Sequence, residues 1–290
     1  MSIAVLSSGA QAHHNEDWAG HVRGPRGTDL FIIDGASPVA DRDYIDPLDG
    51  DVVWFVRRVA AALCAGSASA QDQAAAVHAA ADAAYREFCE RSAGRSIPLH
   101  AWPIAALTWV RARQLGDGHR LDLYCLGDCK VLMRTPDGAV HDLDPFVNPQ
   151  EAILRAEIAI LQAAGLDDDA TRQARLMPIL RARREFQNTV AGTNALCLRP
   201  NGPFGARSVA VDAPAGATLL CMTDGFYRLV DTYELLTPES LFTLCMEHGL
   251  PAALDVLRRH EAHMQDAAAT TVKRADDASA ILWRAGSVQD

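Results

Sequence analysis

Two apolar runs, FIIDG at 31–35 and LLCMTDG at 219–225, each end on an Asp-Gly pair, Asp34-Gly35 and Asp224-Gly225. A carboxylate at the end of an apolar strand is held rigidly at the edge of a sheet, where it can do chemistry. Three other Asp-Gly pairs begin at Asp49, Asp117 and Asp137. Asp117 and Asp137 fall between strand-like runs and read as hairpin turns, because Asp bonds its own backbone and Gly accepts positive φ. Asp49 precedes a helix and fits loop chemistry. Further acids stand in places comparable to 34 and 224: Glu16 and Asp17 in NEDW, Asp128 in YCLGDCK, Asp276 and Asp277 in RADDASAILW. Singly, each reads as a turn or cap residue. Together, the acids at 17, 34, 128, 224 and 276 exceed what turns require.

Two carboxylates about 5 Å apart repel by roughly 3 kcal/mol at an effective dielectric near 20. A cluster of four therefore calls for protons or cations. Oxygen ligands without His or Cys select Mg²⁺ or Mn²⁺ rather than zinc. A carboxylate shared by two such ions holds a water between them and aims it for in-line attack on phosphorus. Glycine after the aspartate lets the backbone approach the metal closely.

The elements that would position these acids alternate in blocks. Runs at 3–9 and 29–34 read as strands, and 50–66 and 71–92 as two long Ala-rich helices parted at GSASA. Strands follow at AALTWVRAR, HRLDLYCLGD and CKVLMRT, joined by the turn sequences LGDG and TPDG. Two helices (PQEAILRAEIAILQAAG and DATRQARLMPILRARREF) lead to strands NALCLRP, ARSVAV and ATLLCMTD. Helices TPESLFTLCMEHG and PAALDVLRRHEAHMQ precede a last strand, ASAILWR. Helix pairs separated by antiparallel strand blocks predict an α+β class with helices outside the sheets. No linker or change of composition marks a boundary, so 1–290 reads as a single domain.

Bulk properties narrow the partners. The formal net charge is −10 with 22% charged residues, and no basic stripe interrupts it, which argues against nucleic acid. The arginines of RRVAA and RARREF read as solvated helix faces, as does the HEAH pair at 260–263. The seven cysteines form no CxxC pair and sit mostly in apolar runs, which predicts a reducing, cytoplasmic setting. No window reaches the roughly 20 apolar residues of a membrane helix, and the start of the chain makes a poor signal peptide. Neither membrane nor nucleic acid is an expected partner. GxSxG, Walker and GxGxxG motifs are absent.

The ordered set NED, FIIDG, LDLYCLGDCK, LLCMTDG and DDASAILW, spanning 15–284, resembles the metal-dependent serine/threonine protein phosphatases of type 2C (the PPM family), in particular its compact bacterial members. The resemblance implies a four-layer α-β-β-α sandwich, two antiparallel sheets flanked by helix pairs. It implies two Mg²⁺ or Mn²⁺ ions per site and a third, looser one. Asp34 matches the carboxylate bridging both ions, with the Gly35 carbonyl on one of them; Asp224 and Asp276 match ligands of the second. Asp17, beside Glu16, would bind through metal-held water, and Asp128 matches the acid of the third site. Asp34 and Asp224 would thereby carry catalysis. Asp277 falls where the family has Asn and is left outside the ligand set.

The implied activity is hydrolysis of phosphoserine and phosphothreonine by a hydroxide bridging the two ions. The implied partners are a phosphorylated protein and a cognate serine/threonine kinase. Two positions depart from the family. Ala12 stands where an arginine grips the phosphate, and Ala36 where a His follows Asp-Gly. His13, His14 and Arg228 are candidates for the missing charge or proton; a loop position for the histidines and a helix surface for Arg228 are the plainer readings. These departures keep two alternatives open, a phosphatase-like module that binds a phosphoprotein without turnover and a phosphatase of small phosphorylated metabolites.

Overall fold

The computed structural model describes residues 2–11, 14–67, 72–165, 169–263 and 275–285. The strands are β1 (Ser2–Ser8), β2 (Asp17–Gly24), β3 (Gly27–Gly35), β4 (Ile104–Leu115), β5 (Gly118–Leu126), β6 (Lys130–Arg134), β7 (Val140–Asp142), β8 (Leu196–Cys197), β9 (Arg207–Ala213), β10 (Thr218–Met222) and β11 (Ala278–Arg284). The helices are α1 (Asp51–Gly66), α2 (Gln73–Ser92), α3 (Pro149–Ala163), α4 (Asp169–Thr189), α5 (Asp224–Asp231), α6 (Pro238–His248) and α7 (Leu250–His263), with a 3₁₀ turn at Leu99–Ala101.

Two antiparallel sheets form. One runs β1-β11-β10-β6-β7; the other runs β2-β3-β4-β5-β9, with β8 pairing β4. Their apolar runs are continuous because both faces of the central strands are covered. Along β3, Phe31 and Ile33 face the core shared with α1 and α2, while Leu30 and Ile32 face the opposite sheet. Along β10, Leu219 and Cys221 point between the sheets, and Leu220 and Met222 point toward α5, α6 and α7. The period of two along each strand thus feeds three cores and stacks four layers, α-β-β-α. This is the architecture expected from the sequence.

Several elements differ from the sequence reading. β2 was not anticipated; DWAGHVRG interleaves small and polar residues, which an edge strand of half-buried pattern tolerates. β7 is a further short edge strand. NALCLRP contributes only Leu196 and Cys197 to pairing with β4. Asp224 and Gly225, read as the end of a strand, already lie in the first turn of helix α5. Part of DDD (167–169) and the end of PAALDVLRRHEAHMQ lie outside the described residues.

Between the sheets, the His119 ring stands edge-on to Trp283, with centroids 5.0 Å apart. Burial lowers the His119 pKa from its ordinary value. The unfolded chain then takes up the proton more readily than the folded one. Stability is complete above about pH 6.5 and falls as pH drops through that value. Replacing His119 with Phe keeps the edge contact and removes the titration, so the melting temperatures of the two proteins should diverge between pH 7 and pH 5, with His119→Phe losing less.

Candidate metal centre

The site forms where the ends of the two sheets meet. Asp17 begins β2 and Asp34 ends β3, and antiparallel pairing sets them directly opposite each other. The other sheet supplies Asp224, at the start of α5 just beyond β10, and Asp276, just before β11. β10 and β11 are paired, with Met222 opposite Ala280, so the segments leaving that end run side by side. Among the hydrogen bonds that join the halves, Thr223 Oγ1 donates to Asp17 Oδ2 at 2.9 Å. The same hydroxyl accepts from the Ser279 N–H at 3.0 Å, which ties it back to β11.

The NED segment is fixed on both sides. Asn15 donates to Ser7 Oγ at 2.8 Å and accepts the Asp17 N–H at 3.0 Å. The Glu16 carbonyl accepts from Gly35 N at 3.1 Å. A side chain at Gly35 would meet Glu16 O at 2.6 Å and Val52 Cγ1 at 2.5 Å, so only glycine lets the end of β3 lie this close. Asp277 spends its carboxylate on the loop leading to Asp17, accepting from Ala10 N at 2.8 Å and Glu16 N at 2.6 Å.

Like charges crowd the pocket. Asp17 and Asp34 are both pushed well above the usual carboxylate range. For Asp17 burial is the main cause; the Thr223 bond opposes it, and the charges of Asp277, Asp224 and Asp276 add to it. For Asp34 burial is followed by the charges of Asp224, Asp17 and Asp276, and by a hydrogen bond to Asp224. Asp128 stands at the rim in the β5–β6 turn, where its Oδ2 accepts from Asn148 Nδ2 at 2.7 Å. Between rim and centre lies the buried Cys129 thiol. It is raised by burial first and then by Asp34, Asp128, Asp224 and Asp17, so it senses all four.

A hydroxyl bond to one carboxylate, worth about 1.5–3 kcal/mol, does not offset repulsion of about 3 kcal/mol for each close pair. The donors are all hard oxygen, which suits Mg²⁺ or Mn²⁺. The carboxylates converge without closing into a finished cage: among the described residues, no three acidic, histidine or cysteine side chains already stand in a metal-holding arrangement.

Some residues behave otherwise than their sequence suggested. Arg228 is buried rather than on a helix surface; it lies 3.9 Å from Asp276 Oδ2 and covers the Tyr233 ring. The helix expected around Arg228 is present as α5, but Arg228 lies on its buried face. Glu261, within HEAH, is also buried and bonded by Arg258 at 2.6 Å. His14 holds its ring 3.3 Å from Glu16 Oε1. Ala12 and His13 lie outside the described residues. Arg184 was missed. It is buried in α4 and donates to the Ala36 and Ser37 carbonyls just past Asp34. A run of arginines on a polar helix gives no local sign of which one turns inward.

No family model matches the chain, and no curated relative matches it either. Solved structures do match. A serine/threonine phosphatase from S. agalactiae superposes with a TM-score of 0.55 at 14% identity, over 97% of this chain and 98% of that one. The Mycobacterium tuberculosis serine/threonine phosphatase PstP/Ppp gives 0.52 at 15% identity, over 97% of both chains. The PstP catalytic domain in complex with two manganese ions gives 0.53 at 16% identity, over 98% of both. The chain therefore has the fold of the metal-dependent serine/threonine phosphatases along nearly its whole length.

Two outcomes test the site's construction. A Cβ at position 225 would meet the Asp277 carbonyl oxygen at 1.9 Å and the Asp276 Cβ at 3.2 Å. Gly225→Ala should cost about 2–3 kcal/mol in urea unfolding and weaken Mn²⁺ binding in calorimetry. In metal-free protein, Asp34→Asn should melt several degrees above wild type at pH 8. The raised Asp34 pKa makes metal-free stability fall as pH climbs above about 3.8, and the amide has no such loss. Added Mn²⁺ should raise the melting temperature of wild type more than that of Asp34→Asn.

Proposed function

We propose that the protein is a metal-dependent phosphoric monoester hydrolase acting on phosphoserine and phosphothreonine in proteins. One observation carries this reading: four carboxylates, two from each sheet, meet at the seam of a fold shared with serine/threonine phosphatases. When bound, a pair of Mg²⁺ or Mn²⁺ ions supplies Lewis acidity and a water acidic enough to attack phosphorus near neutral pH. Asp34 would serve both ions, Asp224 and Asp276 one of them, and Asp17 the waters around them, with Asp128 at a third position. Thr223 fixes one Asp17 oxygen, and Asp277 holds the loop that carries Glu16 and Asp17. Gly35 lets β3 end against the Glu16 carbonyl.

The buried thiols do not suit a covalent phosphoenzyme. The thiols of Cys125 and Cys197 are pushed up to about 12 by burial, too high for a nucleophile at neutral pH. Such protonated, unpaired thiols suit the reducing cytoplasm. No helix among the described residues is long and apolar enough to cross a membrane. The PstP catalytic domain with its two manganese ions supports the choice of cofactor. The PstP and S. agalactiae proteins support a phosphoprotein substrate, placed there by a serine/threonine kinase. Ala36, without a proton-donating side chain, is what favours a second reading, a phosphoprotein-binding module without turnover.

Purified protein with p-nitrophenyl phosphate and phosphothreonine peptides separates the two. Turnover should require Mn²⁺, vanish with EDTA and fall about a thousandfold in Asp34→Ala. Phosphopeptide binding without turnover would establish the module instead. Hydrolysis confined to small phosphates would move the substrate from proteins to metabolites.

A further inference from the structure

The carboxylates that attract divalent cations repel the dianion of a phosphate monoester. Receiving that anion takes positive charge on the same rim, in a geometry that can donate to phosphoryl oxygens. Helix α4 brings arginines to this rim. Arg184 Nη2 donates to Ala36 O at 3.2 Å and to Ser37 O at 2.9 Å, the carbonyls that follow Asp34-Gly35. Burial lowers it to about 10, Glu16 opposes that fall and Arg183 adds to it; the guanidinium stays charged at neutral pH, between Glu16 and Arg183.

Arg183 reaches a second segment. Its Nη2 donates to Asn148 Oδ1 at 3.0 Å, and Asn148 Nδ2 donates to Asp128 Oδ2 at 2.7 Å. Consecutive guanidinium groups of one helix therefore reach two segments that carry site acids, the exit of β3 directly and the β5–β6 turn through Asn148. The helix is fixed on either side of them. Arg181 Nε donates to Val39 O at 2.7 Å, and Asn188 donates to the Leu99 and Trp102 carbonyls, each at 3.2 Å. Anchors at 181, 184 and 188 share one helix face, at i, i+3 and i+7, so Arg183 is presented in a set orientation.

We propose that α4 is the anion-receiving wall of the site, with Arg183 contacting the phosphoryl group and Arg184 positioning the Asp34–Gly35 end of β3 through Ala36 and Ser37. The ligand class is a phosphate monoester or inorganic phosphate as dianion, preferred over singly charged diesters. This rests on the phosphatase reading for its substrate, but its test does not depend on turnover.

Calorimetry of inorganic phosphate with the Mn²⁺-loaded full chain compares wild type, Arg183→Met, Arg183→Lys, Arg184→Lys and Asn148→Ala, with Mn²⁺ affinity measured in parallel. Phosphate should bind Arg183→Met at least about tenfold more weakly than wild type, with Mn²⁺ affinity retained, and Arg183→Lys should recover part of the loss. Asn148→Ala should keep more phosphate affinity than Arg183→Met, because it leaves the guanidinium in place. Arg184→Lys should lose Mn²⁺ affinity and thermal stability together. Where esters turn over, Arg183→Met should raise KM by a larger factor than it lowers kcat. Equal phosphate binding by wild type and Arg183→Met would overturn the proposal. So would a matching loss in Asn148→Ala, which would make Arg183 a strut for Asp128. The predicted binding pattern in a protein without turnover would uphold this wall and reject the phosphatase reading.

Discussion

Asp17 and Asp34 face each other across paired strands of one sheet, and Thr223 reaches from the other sheet to bond Asp17. Everything at this end of the molecule follows from bringing like charges together across a seam. The seam is closed from behind by apolar side chains of both sheets, Leu30, Ile32, Val131, Leu219, Cys221 and Ile281 among them. That burial is non-directional and scales with area. It can press two sheets together but cannot by itself fix which strand ends coincide. The Thr223 bond, the Asp277 carboxylate on the Ala10 and Glu16 amides, and the glycines at 35 and 225 set that register.

The distribution of small residues follows the same logic. Gly225 lies in the first turn of α5, where a glycine costs helix stability relative to alanine. Its hydrogen lets the backbone carrying Asp276 and Asp277 pass within contact of the helix start. Local propensity yields there to a close approach, as is common where a site is assembled. Asp224 gains from the same arrangement, since a carboxylate in the first turn of a helix meets the positive end of the peptide dipoles.

Strand ends were the legible part of this sequence. Runs such as FIIDG and LLCMTDG announce both an interior strand and the residue that leaves it, because burial on both faces makes the run continuous and its end abrupt. That helices lie outside the sheets followed from the alternation of helix and strand blocks; the four-layer order came from the family resemblance. What the sequence concealed depends on neighbours across the fold. β2 lies at an edge and lacks a continuous apolar run, so Asp17 read as a loop acid rather than the first residue of a strand. The start of α5 at Asp224 hid behind an Asp-Gly pair that elsewhere in the same chain, at 117 and 137, does mark a turn. Arg184 and Arg228 resemble any helix arginine until the carbonyls or carboxylate opposite them are known. The roles of the acids as ligands were supplied by family resemblance rather than by spacing, since residues 17 and 276 are separated by nearly the whole chain.

A cation bound at this site would also couple to the docking of the sheets. In metal-free protein the carboxyls of Asp17 and Asp34 are held above their usual range, so the folded state favours protons that the unfolded chain would release. A divalent ion held there would replace those protons and relieve the repulsion, and if it bound only the assembled arrangement its binding free energy would add to that of folding. Because two of the acids come from each sheet, the stabilisation would act across the seam rather than within either half. Helix α4 also reaches this end, where Arg184 donates to the Ala36 and Ser37 carbonyls just past Asp34. The end of β3 is therefore restrained by the Glu16 carbonyl, which accepts from Gly35 N, and by the buried Arg184 guanidinium. The backbone from Asp34 to Ser37 is thus tied down immediately after the residue that faces Asp17 across the β2–β3 pair.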